Sequence, residues 1–407
     1  MNFPFFIARR YLLSKRKKNF INIISILSLI GVAFSTAALI IVLSVFNGLE
    51  DLLRSLNDSF DPEIKIEAGK GKSFLVNEDL LKKIEAVEGV AIVTEVIEDY
   101  AYVRYREANQ VITLKGVSDN FLNQHRIDEK IVDGTLQLKK GDLQYAIIGR
   151  GVQYALSVAV GDDQYALQVY YINSVKSGTL DPSKLYSRRS ILPGAAFSIV
   201  QNFDENYVIV PLDFARELLN YGDKRTSLEI KTKPGADIVH VQQRLRKVLG
   251  ESFSVLNPEE QHKDLYRLLK MEKLFTFLAF SLLLGISSIN IFFSLMMLAL
   301  DKKKDISVLA AMGANQSLIR NIFLTEGALI AVSGALFGLV LGGFFCWLQQ
   351  QHGIISMGME TSVTEGYPIK VIPTDFLYTM LVVSLITFLT SYRPAVLAAR
   401  SPAVQNL

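Results

Sequence analysis

Cysteine occurs once in 407 residues, as Cys346 inside a long uncharged run, so no disulfide can staple any folded part of the chain. That scarcity is neutral about compartment. Histidine is also rare: His125, His240, His262 and His352 are scattered, and no two stand at the His-x3-His spacing of a metal site. His240 and His262 read as solvated helix residues, and no metal is expected. No Gly-x-Ser-x-Gly elbow occurs, which removes one common serine nucleophile. The tail of a phosphate-binding loop appears at Gly71-Lys72-Ser73, but Ile66 stands where its first glycine is required. An embedded enzyme is therefore not expected, and this chain is assigned no catalytic residue and no cofactor. The net charge of +3 is modest, and no basic patch points to nucleic acid.

Charge is missing where the chain is most apolar. Half of all residues are hydrophobic, and they are concentrated: no Asp, Glu, Lys or Arg occurs from Ile21 to Asn47, from Leu274 to Leu300 or from Gly327 to Met359. Each run exceeds the ~20 residues that a helix needs to cross a bilayer. A fourth run, Phe376 to Tyr392, is shorter but adequate, and is bounded by Asp375 and Arg393. Four transmembrane helices are predicted. Basic residues are retained on the cytoplasmic side, and Arg9, Arg10, Lys15, Arg16, Lys17 and Lys18 precede the first run with no acid among them. Both termini are therefore placed inside, in agreement with the Lys302-Lys303-Lys304 triplet, Arg393 and Arg400. Ser35-Thr36-Ala37 has a cleavage-site pattern, but the apolar stretch continues for about nine residues beyond it, which reads as an uncleaved signal anchor. Three parts follow: a basic amphipathic segment with the first span (1–47), an exported domain (48–270), and the remaining spans with their loops (271–407).

The exported part is long enough to hold its own core. Leu49, Leu52, Leu53, Leu56 and Phe60 after the first span, and Leu265, Leu268 and Leu269 before the second, repeat at helical spacing. They fit either a stalk continuing the membrane helices or ordinary surface helices. Inside the domain, two β–α–β units are predicted, one from "EIKIEAG" through a helix opened by Asn77 to "AIVTEVI", the other from "SLEIKT" through "DIVHVQQRLRKVLG" to "SFSVL". They bracket strands "YAYVRYR", "QVITLKGV", "YALQVYYI" and "NYVIVPL". The expected fold is a membrane protein of four helices with a large α+β domain between the first and second.

The apolar runs offer no charged group with which an ion-coupled carrier could work. They hold Ser35, Thr36, Ser287, Ser288 and Asn290, and a doubled G-x-x-x-G at Gly334, Gly338 and Gly342, whose one-sided glycines let another helix approach, in this chain or in a second membrane subunit. An energy source is then expected outside the chain. Between the second and third runs lies a charged insert, 301–326. Gly313 is suited to cap one short helix and Asn315 to open the next. Val308, Leu309 and Met312 would face water on this hairpin, which marks a docking surface.

"KKDISVLAAMGANQSLIRNIFLTEG" resembles the loop between the second and third spans of the MacB/FtsX-type ABC-transporter permeases, with Asp305 where glutamate is more usual. The closing "RPAVLAARSPAVQNL" has the same likeness. "VLSVFNGLEDLL", "LLKMEKLFTF" and "INIFFSLMMLALDKKKDISVL" resemble the LolC/LolE branch, the lipoprotein-releasing permeases. That resemblance implies a ferredoxin-like lobe beside a β-rich one, in a subunit of the bacterial inner membrane. It implies that Asp305, Ile306, Leu309, Met312, Gly313, Ala314 and Ile319 couple to a separate cytoplasmic ABC ATPase dimer, which would bind the ATP and magnesium. Further implied partners are a second permease, identical or homologous, lipoprotein substrates, and a periplasmic chaperone docking on a hairpin. The positional candidate for that hairpin is 173–190, with Asp181, Pro182 and Lys184, and a plain surface loop is the other reading of it. Acyl chains would occupy a cavity lined by Phe34, Leu43, Phe277 and Phe292. Two rival readings are a MacB-like efflux permease and an FtsX-like signalling anchor that activates a periplasmic cell-wall hydrolase. "SVFNGLE" and "KMEK" favour lipoprotein release over both.

Overall fold

The computed structural model describes residues 3–12, 20–58, 60–161, 164–172, 185–356 and 366–400. The chain divides into two compact units, Met1–Leu52 with Arg267–Leu407, and Leu53–Tyr266.

The first unit opens with helices α1 (Phe3–Leu12) and α2 (Phe20–Asp58). In the second unit, the chain runs through β1 (Ile64–Ala68), β2 (Phe74–Leu75), α3 (Glu78–Glu85), β3 (Val90–Tyr105), β4 (Ala108–Val117), β5 (Ile131–Gly134) and β6 (Lys139–Lys140). It continues through β7 (Leu143–Gly149), α4 (Arg150–Leu156), β8 (Leu167–Ile172), β9 (Tyr186–Phe197), α5 (Gln201–Asn206), β10 (Tyr207–Pro211) and α6 (Leu212–Leu218). The last elements of that unit are β11 (Lys224–Arg225), β12 (Ser227–Thr232), α7 (Ile238–Leu249), β13 (Phe253–Leu256) and α8 (Pro258–Gln261). The chain then returns to the first unit through α9 (Lys263–Asp301), followed by α10 (Lys303–Ala311), α11 (Gln316–His352) and α12 (Pro373–Arg400).

Among the described residues, four helices, α2, α9, α11 and α12, are long and apolar enough to cross a membrane. The glycine stripe of α11 is used within the chain. A Cβ on Gly338 would lie 2.4 Å from the Ala33 carbonyl oxygen, and Gly334 and Gly342 sit as tightly against Leu29 and Ala37, so α2 packs backbone to backbone on α11. Ser25 and Ser35 of α2 meet Ser294 and Ser287 of α9 at 2.6 and 2.9 Å, hydroxyl pairs that satisfy each other away from water. The apolar core of this unit gathers Val32, Leu284, Ile291, Leu295, Ile330, Ala331 and Val383. The second helix of the insert runs through Ile319, Phe323 and Glu326 into the apolar stretch as one helix, α11, and Glu326 on it is 3% exposed.

In the second unit, the order β13-β1-β12-β3 is antiparallel throughout, with α3 joining β1 to β3 and α7 joining β12 to β13. The caps are local. Asn77 accepts the Leu80 amide at 2.9 Å and Asp237 accepts that of Val239 at 2.8 Å. "AIVTEVI" and "YAYVRYR", expected as separate strands, are halves of β3, which continues into the second lobe. There β3-β4-β10-β7-β9-β8 pair in turn and β8 returns to β3, closing a six-stranded barrel with parallel pairs only at β4/β10 and β7/β9. Its interior holds Ile97, Val103, Leu114, Ile148, Val169 and Val210, with Phe214 of α6 joining the same cluster. Closure removes the exposed edges that an open sheet would present.

One charged group is buried between the lobes. Glu229 of β12 accepts Lys115 of β4 at 2.7 Å and pairs with Arg126, all three being nearly inaccessible. Burial pushes the Glu229 carboxyl up, but the Arg126 guanidinium and the Lys115 ammonium outweigh it and hold it down at about 2. Arg126 also donates to the Phe60 carbonyl at 2.9 Å, and the Lys115 ammonium lies 4.5 Å from the Phe60 ring centroid, just beyond the end of α2.

Glu229→Gln strands two buried cations, and breaking a buried pair costs about 3–5 kcal/mol. Urea unfolding followed by circular dichroism should show the midpoint lowered at pH 7. Because the folded carboxyl is depressed, its stabilisation is full above the ordinary carboxylate range and is lost as pH falls toward 2. Wild type and variant should therefore converge in acid, and equal midpoints at pH 7 would refute the pair's role.

Candidate functional site

Helix α10 follows α9 with hardly a break, the Lys302 and Ile306 amides donating to Leu298 and Lys302 carbonyls at 2.9 Å. It ends at Gly313, whose φ of +93° lies in the left-handed region. There the Gly313 amide donates to the Ala310 carbonyl at 2.9 Å and the Ala314 amide to that of Leu309 at 3.0 Å, the paired bonds of a Schellman stop. Asn315 then accepts the Leu318 amide at 2.8 Å and opens α11. Every bond in this turn joins near neighbours, so the hairpin was readable from its sequence.

Its side chains divide by direction. Ile306, 3% exposed, and Ile319 pack into the helix bundle beside Phe323, Ala395 and Ala398. Met312, 80% exposed, and Val308, 49% exposed, face outward with Asp305 and Gly313, while Leu309 and Ala314 are half-buried. The seven predicted coupling residues thus include two that hold the hairpin in place. Tyr11 of α1 packs against the same cluster, with Lys302 5.9 Å from its ring centroid. Burial and the nearby charges of Asp305 and Glu326 push its phenol up to about 12, so it stays neutral.

A second feature lies at the opposite end of α2. Asn47 donates to Asp375 at 2.7 Å and accepts from Lys273 at 2.5 Å, bridging α2, α9 and α12. The Lys370 amide donates to the Ser44 carbonyl at 3.0 Å, and a Cβ on Gly48 would lie 2.3 Å from the Pro368 oxygen. Beside this cluster opens a cleft of about 430 Å³ with apolar walls of Leu43, Leu274, Phe277, Tyr378 and Leu381 and a polar rim of Lys270, Lys273 and Asp375. It brings together two of the four predicted cavity residues. Phe34 is 75% exposed elsewhere on α2, and Phe292 packs edge-on against Phe293 at 5.5 Å. Asn47 and Lys273 were carried in "SVFNGLE" and "KMEK" without a role, whereas Asp375 was only a boundary. Asp181, Pro182 and Lys184 lie outside the described residues.

The family model of the MacB-like periplasmic core domain matches residues 25–248, and that of the FtsX-like permease C-terminal matches 277–403. The chain belongs to the MacB/FtsX-like permeases. The lipoprotein-releasing system transmembrane protein LolC of Buchnera aphidicola subsp. Schizaphis graminum is 28% identical over 339 residues, 83% of this permease and 82% of that protein. LolE of Haemophilus influenzae is 25% identical over 355 residues, 84% and 82% of the two chains. The solved periplasmic region of MacB from Actinobacillus actinomycetemcomitans, 10% identical, covers 52% of this permease and 94% of its own chain at a TM-score of 0.35, a loose likeness.

The phosphate-loop fragment of this permease serves another purpose: the Lys72 ammonium donates to Asp99 at 2.5 Å. Asp99 also accepts from Tyr171 and Tyr221. His262, expected to be solvated, is bonded to Asp61 at 2.6 Å.

The two faces of the hairpin should respond differently to charge. Ile306→Glu buries a carboxylate in the bundle and should lower thermal stability in detergent by several degrees, whereas Met312→Glu should leave it unchanged. Equal losses would mean that Met312 is packed.

Proposed function

We propose that this chain is the permease subunit of an ABC transporter that releases lipoproteins from the inner membrane for transfer to the outer membrane. The observation that carries the reading is the hairpin 301–326, a rigidly capped turn that presents Met312 and Val308 to water on a chain whose matches to LolC and LolE span over four-fifths of its length. ATP hydrolysis resides in a separate cytoplasmic ATPase dimer, which docks on that hairpin and on Asp305, Leu309 and Ala314. The order β13-β1-β12-β3 with its two helices supports a ferredoxin-like first lobe. The basic N-terminal segment supports cytoplasmic termini. The cleft beside Leu43 and Phe277 takes acyl chains, and its rim of Lys270, Lys273 and Asp375 meets the polar head of the substrate. A second permease and a periplasmic chaperone complete the assembly, the latter docking between β8 and β9.

Met312→Glu would bury an unpaired carboxylate in the ATPase groove, at a cost of several kcal/mol against roughly 1–3 for a lost aliphatic contact. It should release the ATPase from the purified complex, while Met312→Ala keeps it bound with slower lipoprotein release from vesicles. ATPase co-elution and full release with Met312→Glu would reduce the hairpin to a connector. A cysteine at Gln316 should also resist an impermeant thiol reagent in intact cells, and labelling there would reverse the orientation.

A further inference from the structure

Toward the hairpin end of α11 and α12, the two helices leave a groove of about 190 Å³ between them. Ala328, Ala331 and Val332 of α11 face Thr387, Phe388 and Ser391 of α12 across it. It opens sideways: Ala328, Val332 and Phe388 are exposed on helices that read as membrane spans, so the opening is toward lipid. Hydroxyls in these helices ordinarily donate to the carbonyl four residues back, as Thr387 does to Val383 at 2.7 Å and Thr390 to Ile386 at 3.0 Å. Ser391 does not. Its acceptor at that spacing, the Thr387 carbonyl, is bonded by Thr390 at 3.1 Å, and the Ser391 hydroxyl, on a residue 1% exposed, has no hydrogen-bond partner. Gly327 permits this placement, because a Cβ there would lie 2.3 Å from the Ser391 oxygen. A cation stands at the hairpin end of the groove. Arg320, Leu324, Ala328 and Ala331 recur at helical spacing and so share one face of α11. The Arg320 Nε is buried without a hydrogen-bond partner, and among the described residues its guanidinium makes no ion pair. Glu326 is on the opposite face of α11, near Tyr11.

We infer that this groove binds a phospholipid of the surrounding bilayer, in the leaflet on the hairpin side, at a site separate from the cleft beside Leu43 and Phe277. The acyl chain lies along Ala328, Ala331 and Phe388, an ester carbonyl accepts the Ser391 hydroxyl, and the phosphate pairs with Arg320. Each part of such a lipid answers one feature of the groove. Hydrocarbon around the spans holds no water, so the Ser391 donor can be satisfied only by protein or by lipid, and the protein supplies no acceptor. An ester carbonyl accepts without donating, which is what a hydroxyl in need of an acceptor requires. Phosphate is the counter-charge that a guanidinium binds through parallel hydrogen bonds. Arg320 stands four residues into α11, close enough to the helix end for its long side chain to reach the headgroup level. A volume of 190 Å³ cannot seat a second helix, which is about 10–12 Å across with its side chains, whereas an unbranched acyl chain is thin. A headgroup of net negative charge gains more from Arg320 than a zwitterionic one, so phosphatidylglycerol is preferred over phosphatidylethanolamine. The inference requires that α11 and α12 span a bilayer and is independent of the cargo.

The test uses the full chain in vesicles of phosphatidylethanolamine with a minor share of phosphatidylglycerol that carries a diazirine on one acyl chain. Irradiation and peptide mass spectrometry should place adducts on 324–332 and 384–391 in excess of those at Leu282 and Phe293, which are exposed on α9. Arg320→Gln should lower the groove adducts about tenfold and Ser391→Ala about threefold, in keeping with a charged and a neutral hydrogen bond. Arg320→Lys keeps the charge and should retain most of them, and Ala328→Trp, which fills the groove from its open side, should abolish them. Adducts on α9 should stay constant in all four variants, which separates loss of the site from loss of the fold. Phosphatidylethanolamine with the same diazirine should label the groove less, and Arg320→Gln should erase that difference. Equal labelling of groove and α9 in wild type, or groove adducts that survive both Arg320→Gln and Ala328→Trp, would mean ordinary boundary lipid only and overturn the site. Cross-linking of two copies of the chain through Ala328→Cys, in place of lipid adducts, would assign the groove to a second permease and overturn it as well. Absence of lipoprotein release by wild type in the same vesicles would sink the cargo assignment and leave the lipid site standing.

Discussion

The buried carboxylate of Glu229 is the constraint around which the exported unit is arranged. A lone charge in that position could not be tolerated, because removing it from water costs far more than any packing gain returns. Lys115 and Arg126 therefore have to meet it, and they arrive from β4, in the barrel, and from the segment before β5. Glu229 itself belongs to β12 in the other lobe. Satisfying one group thus sets how the lobes join, alongside the shared strand β3. The same two cations hold Phe60, so the exit from α2 is tied to the charge that organises the sheet.

The membrane unit solves the opposite problem. Lipid offers no hydrophobic drive between helices, so close packing and small polar contacts must hold them. The α11 glycines bring the α2 backbone into contact, and serine pairs join α2 to α9. Among the described residues, two polar groups stand near helix ends. Asn47 ties Lys273 to Asp375 at one end, while Glu326 lies toward the hairpin at the other. The polar cluster at Asn47 gives the adjoining cleft a charged rim over apolar walls, a distribution suited to a ligand with a polar head and a greasy tail.

The turns at both ends of α9 are closed by short-range caps and by cross-ties. The hairpin is held by Ile306 and Ile319, which pack into the bundle, and it presents Met312 outward. At the far ends of α2 and α9, cross-ties replace free loops. Gly313 caps the hairpin helix at one end, and the Asp61–His262 bond ties distant segments at the other.

By itself the sequence determined whatever depends on near neighbours or on runs of one character. Uncharged stretches long enough to span a bilayer, the caps at Asn77, Asn315 and Gly313, and the two β–α–β units were legible because their causes lie within a few residues. The tertiary structure alone decided how distant segments meet. The single strand β3, the return of β8 to close the barrel, the partner of the glycine stripe, the burial of Glu326 and the bridge from Asn47 to Asp375 all depend on approaches across long separations. His262 read as a solvated residue because Asp61, its partner, is 201 positions away. A residue's type shows that it can form a bond. Only folding sets the distance at which loop entropy is overcome and a particular partner is chosen.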